Sequence, residues 1–505
     1  MAVDPRTPVI AGVGQRLQRV EDLAAALEPI DLLASAARAA ADDAGAPGLA
    51  AAADTVAVVD IVSWKYLDPG ALLARRLGRE APVQSVTTTL GGNSPQLLVN
   101  ELAPAVARGD ADVVLLGGAE SMYTRLRARR EPKTWLDWAQ TDDAPCPRVL
   151  GDGRPGTNDY EMAHLAVAPT LIYPLLETAV RAAAGRSVEE HQRYVSELWS
   201  TFAAVAAGNP FAWSRDAWSP EEIRTPSTDN RMVTFPYTKR MCANIEVDQA
   251  AAVLLCSYEA ARSAGVPDDR LVFPLAGADA HDHFFFSERA SLAESPAIGI
   301  AGRAMFAAAG VDLDDVALFD LYSCFPSAVQ IAMGALGLTG RHGGDERPLT
   351  VTGGLAFAGG PANDYPTHAI AAMVDACRRD PGSVGMVSAL GWYVTKHSLG
   401  LYSTTPPSDG FARVDPAKTQ TEVDALPRRS IAGGYDGEAT VEAMSVVIER
   451  DGSPSLAIVS LLTPPGARVL ANSREPDVMQ AMTGEAWEGR TVRVRTDGAA
   501  NELAV

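Results

Sequence analysis

Leu90–Met122 reads LGGNSPQLLVNELAPAVARGDADVVLLGGAESM, in the order strand end, turn, helix, strand. Two glycines end the first strand, Ser94 can cap, and Pro95 can occupy the first helical turn. The apolar run DVVLLGGAES then predicts a buried strand. A helix tip placed against a strand end carries partial positive charge and free N–H groups. It can lower a thiol pKa or hold an anion or a carbonyl oxygen.

Upstream, PVIAGVGQ at Pro8–Gln15, an Ala-rich stretch over Ile30–Ala44, TVAVVDIV at Thr55–Val62 and PVQSVTTTL at Pro82–Leu90 continue the β and α alternation. Such alternation predicts a layered α/β unit with mostly parallel strands. Downstream, residues 122–238 lose the strand rhythm and carry Trp135, Trp138, Trp199, Trp213 and Trp218, which predicts a helical insertion. Ser187 with Glu190 fits a capping box, and Gly208-Asn209-Pro210 should stop that helix.

A second α/β series runs from Leu271 through VALFDLYS and VTGGLAFAGG to VGMVSALGWYV, so two similar halves share the chain. The divisions expected are 1–121 with 239–268 for the first half, 122–238 for the insertion and 269–408 for the second half. Residues 409–426 read as a polar linker, and 427–505 as a small α+β domain of four strands and one helix with a turn at Asp451-Gly452.

At 505 residues the chain is long enough for about three structural units. The 43 basic against 63 acidic residues leave a net charge of −20, which gives no footprint for nucleic acid. Five scattered cysteines indicate neither a disulfide framework nor a metal knuckle, and suit a reducing cytoplasm. The start MAVDPRTP lacks the basic and apolar runs of an export signal, and Leu165–Leu176, broken by two prolines, is too short to span a membrane. His281 and His283 could share a strand face, yet no third ligand accompanies them, so no metal is expected. No nucleotide cradle, GxSxG elbow or HExxH helix occurs.

Leu90–Met122 resembles the thiolase segment in which Cys-x-Ser-Gly opens a helix before a GGxESM strand end. On that alignment the nucleophilic cysteine falls at Gly92 and its serine at Ser94. Asp314–Gln330, DDVALFDLYSCFPSAVQ, is similar to the thiolase stretch Asn-Glu-Ala-Phe, or His-Asp-Cys-Phe in sterol-carrier thiolases. Tyr322 stands where that Asn or His helps build an oxyanion hole, and Cys324 matches the sterol-carrier cysteine as a nucleophile or, by the bland reading, a packed core thiol. VTGGLAFAGGPANDYP from Val351 resembles the Asn-Gly-Gly-x-x-x-x-Gly-His-Pro loop with Gly353, Gly354 and Gly359 in register and the catalytic histidine replaced by Gly360. Ser388–Pro407 lies where a second cysteine would stand. Lys396 and His397 occur there instead, either as acid/base groups or as solvated or capping contacts. Asn244 replaces the serine that meets the pantetheine arm, and Asp248 is retained.

The chain thus resembles thiolase-like proteins type 1, within the thiolase superfamily, with an added C-terminal domain. The resemblance implies a five-layered αβαβα fold and coenzyme A or acyl-CoA as ligand. It also implies a cytoplasmic place in lipid metabolism and a nominal acetyl-CoA acetyltransferase-like activity that the substituted residues deny. Asn244, Ser94, Gly353, Gly354 and Gly359 would line the coenzyme A site, with Tyr322, His397 and Lys396 as reacting groups. Two alternatives stand beside acyl-CoA binding without thiolysis. One is an aldolase or lyase on CoA-linked hydroxyacyl chains using Tyr322 and His397; the other is a non-catalytic carrier that docks a partner through the C-terminal domain. Monomer and homodimer both fit.

Overall fold

The computed structural model describes residues 3–131, 136–139, 144–338, 347–496, 498 and 500–504. Trp135 lies outside the described residues. In the first half, strands β1 (Pro8–Leu17), β2 (Thr55–Val58), β3 (Gln84–Thr88) and β4 (Val113–Ser121) alternate with helices α1 (Pro29–Asp43), α2 (Pro69–Arg76) and α3 (Ser94–Arg108). Pro29, Pro69 and Pro95 each sit in the first turn of their helix, where the missing N–H costs nothing.

The insertion supplies β5 (Arg148–Leu150), α4 (Pro169–Ala183), α5 (Val188–Gly208), β6 (Met232–Phe235) and β7 (Tyr237–Thr238). The Ser187–Glu190 capping box opens α5, and the helix ends at Gly208 before Asn209-Pro210. The chain then returns as β8 (Asp248–Ser257), which lies antiparallel between β1 and β4. The first sheet has the order β1-β8-β4-β2-β3-β5.

The second half contributes β9 (Phe273–His281), α6 (Pro296–Ala309), β10 (Val316–Asp320), α7 (Pro326–Leu336), α8 (Tyr365–Arg379), β11 (Val384–Gly391), β12 (Lys396–Ser403) and the short β13 (Ala412–Arg413). Their sheet runs β10-β11-β12-β9-β13. Helices α3 and α8 touch each other and both sheets, α1 and α2 cover the outer face of the first sheet, and α6 covers that of the second beside α7. These are the five layers, αβαβα, around one continuous core. Strands β4, β8 and β12 are buried along their whole length because helices cover both faces.

The segment read as a linker forms α9 (Pro416–Asp424) instead. Asp415 caps it, Pro416 takes its first turn, and Val423 is buried with Ala297 and Ile300 of α6. A single apolar position per two turns is enough to seat so short a helix, and the polar remainder hides it from periodicity.

The last domain holds β14 (Gly437–Ile448), β15 (Pro454–Leu462), β16 (Arg468–Ser473), α10 (Pro476–Gly484), β17 (Thr491–Thr496) and β18 (Asn501–Ala504), five strands where the sequence suggests four. Gly452, at φ 89°, makes the turn between β14 and β15. Because β14 pairs with both β15 and β17, these five strands close into a barrel. The far end of β14 pairs with β6, Val446 opposite Phe235 and Val447 opposite Thr234, so insertion strands β6 and β7 extend the sheet of this domain. Phe235 packs in the barrel core with Val441, Met444 and Val459.

Candidate functional site

The amino end of α3 points between the two halves. Asn93, the residue before the helix, makes no side-chain cap, and Ser94 is the first helical residue, its hydroxyl donating to Thr89 O at 3.1 Å. Ser94 is therefore a buried tie within the turn and does not line the cavity. The Gly91 N–H donates to Asn363 Oδ1 at 2.9 Å, while Asn363 Nδ2 donates to Asp60 O at 2.9 Å. The Gly92 N–H has no protein acceptor among the described residues. Gly92 stands in the turn one residue ahead of the Asn93 cap, so no intrahelical acceptor serves its N–H either.

A Cβ added at Gly92 would lie 2.3 Å from the Tyr322 hydroxyl oxygen and 2.6 Å from Leu390 O. The phenol hydroxyl thus fills the space into which a side chain at position 92 would project, and Gly92 is what admits it. Tyr322 is only 7% exposed and stands edge-on to Tyr365, ring centroids 5.6 Å apart. Burial, with Cys324 beside it, pushes the phenol well above its ordinary range, so it stays protonated at neutral pH. Its main-chain N–H is held by Ser388 Oγ at 2.9 Å.

Gly360 lies across from this tip, its N–H donating to Asn244 O at 2.9 Å. Gly92, Tyr322, Asn244, Gly360 and Asn363 all line one cavity of about 1120 Å³. Its walls combine the tip with Tyr173, Phe325, Leu355, Trp392 and Tyr393 on an aromatic side. Arg231, Lys239 and Arg240 line another part, with Asp229, Glu246, Trp213 and Trp218. Arg240 stacks over Trp218 at 3.7 Å. Cys242 and Cys324 also line the cavity, but burial pushes each thiol up to about 12. Such thiols carry almost no thiolate near neutrality.

Lys396 and His397 are neighbours on β12 and therefore point to opposite faces. Lys396 Nζ donates to Leu90 O at 2.7 Å and Asp152 O at 3.1 Å, which ties down the glycine turn from behind. Burial pulls its ammonium down to about 8. His397 Nε2 lies 3.0 Å from Asp282 Oδ2 and 3.3 Å from Ser295 Oγ, at the start of α6. Neither residue lines the cavity, so the structure does not bring His397 and Tyr322 together as an acid/base pair. The physical reason is strand alternation together with the Asp282 partner that draws the imidazole outward.

Gly353, Gly354 and Gly359 have φ of 101°, 77° and 114°, which only glycine adopts freely. Added Cβ atoms would strike Ala206, Ser323 and Gln249 respectively. They shape the turn against α5 and β8, and the cavity is lined by Gly360 instead.

Among the cavity residues that escaped the sequence reading are Asn363, Tyr173 and Trp392, along with the cations Arg231, Lys239 and Arg240. Tyr173 donates to Trp392 O at 2.7 Å and stacks on Phe325 at 4.6 Å. Trp392 and Val394 hold φ of 58° and 52°, a strained backbone for residues with side chains. Asn363, one residue beyond a positive-φ Ala362, had the signal of a polar residue in the glycine loop.

The family profile described as the thiolase-like protein type 1 additional C-terminal domain matches residues 418–499. A monomeric SCP2-thiolase-like protein type 1 from Mycobacterium smegmatis is 33% identical, with 100% of both chains covered and a TM-score of 0.84. More distant folds include the Ltp2–ChsH2(DUF35) aldolase, 20% identical over 80% of this chain and 99% of that one, TM-score 0.59. The Acat5 thiolase from Ascaris suum, solved in complex with coenzyme A, is 16% identical over 79% of this chain and 99% of that one, TM-score 0.56. Comparison with curated proteins gives no match. A tyrosine-filled thiolase crevice, the added barrel and full-length similarity agree: the chain belongs to the SCP2-thiolase-like proteins type 1.

Proposed function

We propose that the protein binds a coenzyme A thioester in this cavity and does not carry out cysteine-dependent thiolysis. The observation that carries this reading is the Tyr322 hydroxyl occupying the space of a side chain at position 92. A thiol cannot stand there while the phenol does. The two cysteines that do line the cavity have neither a depressed pKa nor a histidine among the lining residues to deprotonate them.

Support for an anionic, chain-bearing ligand comes from two sets of lining residues. Arg231, Lys239 and Arg240 form a local cationic patch on a protein of net charge −20, and phosphate groups are what such a patch attracts. The aromatic wall of Tyr173, Phe325, Trp392 and Tyr393 suits an acyl chain. A volume of about 1120 Å³ exceeds what a drug-sized ligand needs, roughly 300–1,000 Å³, and leaves room for a long or bulky acyl group.

One observation favours lyase chemistry as a second reading. The protonated phenol stands against Gly92, whose N–H has no protein acceptor among the described residues, and both residues line the cavity as donors for a thioester oxygen. In a retro-aldol cleavage the β-hydroxyl proton would pass to a carboxylate of the lining, Asp229 or Glu246, as the Cα–Cβ bond breaks to release a carbonyl product and the electron pair passes to the thioester enolate. Those donors stabilise the enolate oxygen, and Cα is then protonated. His397 is withdrawn from this scheme because Asp282 holds it away from the cavity.

No described helix is long and apolar enough to cross a membrane. Five unpaired cysteines suit a reducing cytoplasm, and the monomeric relative favours a monomer. Calorimetry with coenzyme A and with acyl and β-hydroxyacyl thioesters tests the proposal. Binding that weakens as salt rises is expected, with no release of acetyl-CoA from acetoacetyl-CoA and free coenzyme A. A thiolysis rate well above background overturns it.

A further inference from the structure

The C-terminal barrel grips three separate walls of the cavity. First, the end of β14 pairs with β6, and Arg231, a cavity cation, donates to Met232 O at 3.0 Å and to Ile448 O of β14 at 3.5 Å. Second, the Thr178 hydroxyl of α4 donates to Met444 O at 2.9 Å and accepts the Met444 N–H at 2.9 Å, while Ser445 Oγ donates to Leu171 O at 3.1 Å. That helix brings Pro169, Thr170 and Tyr173 to the cavity. Third, the fully buried Arg468 donates to the carbonyls of Phe286, Ser287 and Arg289 at 2.6–3.1 Å and pairs with Glu442. Arg289 in turn donates to Tyr393 O and Thr395 Oγ1, each at 2.8 Å, in the strained loop that carries Trp392.

We infer that the C-terminal domain braces the cavity walls from behind, with Thr178 and Arg468 as the positioning residues that couple its seating to occupancy of the site. Neither side chain lines the cavity, so each acts through others: Thr178 through α4 and, by seating β14, through its partner strand β6; Arg468 through Arg289 and the Trp392 loop. A separable docking module would show few buried polar ties. Here two ties end on segments that line the cavity, and the third reaches it one step on, through Arg289 to the Tyr393 carbonyl. Because coupling is reciprocal, a ligand that orders the cavity walls must also stabilise the barrel seat.

The test uses the full chain and the variants Thr178→Val, Thr178→Ser and Arg468→Met. Thr178→Val keeps volume and removes the two-way hydrogen bond, whereas Thr178→Ser retains the hydroxyl. In ligand-free protein, hydrogen exchange should quicken at Arg231–Phe235 in Thr178→Val, and at Gly391–Thr395 in Arg468→Met, by roughly threefold to thirtyfold. Thr178→Ser should restore the first segment. Should Arg468→Met fail to fold, Thr178→Val alone decides. Exchange at Arg231–Phe235 unchanged in Thr178→Val, or quickened equally in Thr178→Ser, overturns the inference.

An affinity arm rests on the thioester reading: coenzyme A should bind Thr178→Val several-fold more weakly and should protect Met444–Ile448 in wild type. If wild type fails to bind coenzyme A, that reading falls while the exchange result still decides the coupling.

Discussion

The glycine turn at Gly91-Gly92 and the loop Gly391–Thr395 face the same cavity from opposite halves, and they solve opposite problems. The first gives up its side chain so that a neighbour's hydroxyl can reach the helix tip. The second forces Trp392 and Val394 into left-handed backbone so that large side chains can stand there, with a Cβ at Gly156 excluded by the Trp392 ring at 2.5 Å. One leads from β3 into α3 and the other turns β11 back into β12, so the two reach one cavity from unlike places in the duplicated fold. What persists is the scaffold that aims them, and function follows the groups aimed.

The sharpest way to break this comparison is to place a thiol at the helix tip. In Gly92→Cys the new Cβ meets the Tyr322 oxygen and the Leu390 carbonyl, and a backbone carbonyl cannot step aside cheaply. Overpacking of this kind costs about 1–3 kcal/mol, read as a lower urea midpoint. Adding Tyr322→Ala should recover part of that loss, because the two positions share one space. If the single variant is as stable as wild type, the tip is roomier than described and Gly92 owes nothing to Tyr322.

The strained loop responds in a different quantity. Trp392→Ala removes a ring that lines the cavity and packs on Gly156. We expect affinity for long-chain acyl-CoA to fall about tenfold to a hundredfold, with coenzyme A itself little affected. Losing a buried aromatic contact is worth roughly 1.4–2.8 kcal/mol on this scale. Equal losses for both ligands would place the acyl group elsewhere.

Tyr322→Phe isolates the hydroxyl. No protein group holds that oxygen among the described residues, so unfolding should change by less than about 0.5 kcal/mol. Thioester binding, or turnover of a hydroxyacyl thioester, should fall about tenfold, the worth of one hydrogen bond to a ligand. A variant that loses stability and keeps affinity would make the phenol a packing group.

Much of this architecture is legible in the chain. Leu90–Met122 shows its strand, turn and helix because glycine, a first-turn proline and a continuous apolar strand each leave a local mark. Equally visible are the glycines at 92 and 360, where the thiolase resemblance expects a thiol and an imidazole. What stays hidden depends on three dimensions. Helix α9 rests on one buried valine in a polar run, and β6 joins a sheet built about two hundred residues later. Trp392 and Val394 sit at positive φ with no glycine to announce it. His397 reads as reactive from its type alone, yet adjacency to Lys396 on a strand already meant that both could not face one cavity.

Lys396 gives the clearest sign. Its folded pKa of about 8 lies below the 10.5 of a free side chain, because burial disfavours the ammonium. A charged, buried Lys396 therefore weakens the fold, fully so below about pH 8. Between about 8 and 10.5 the unfolded chain binds more proton, and stability rises with pH across that window. Lys396→Met has no proton to lose, so the stability of wild type relative to the variant should grow from about pH 7.5 to about pH 9.5 in urea titrations. At the lower pH the comparison sets the ammonium's desolvation against its bonds to Leu90 O and Asp152 O, and those bonds survive deprotonation because a neutral amine still donates. A flat difference across the window would mean that water reaches Nζ and that the glycine turn is backed by solvent instead of a dry lysine.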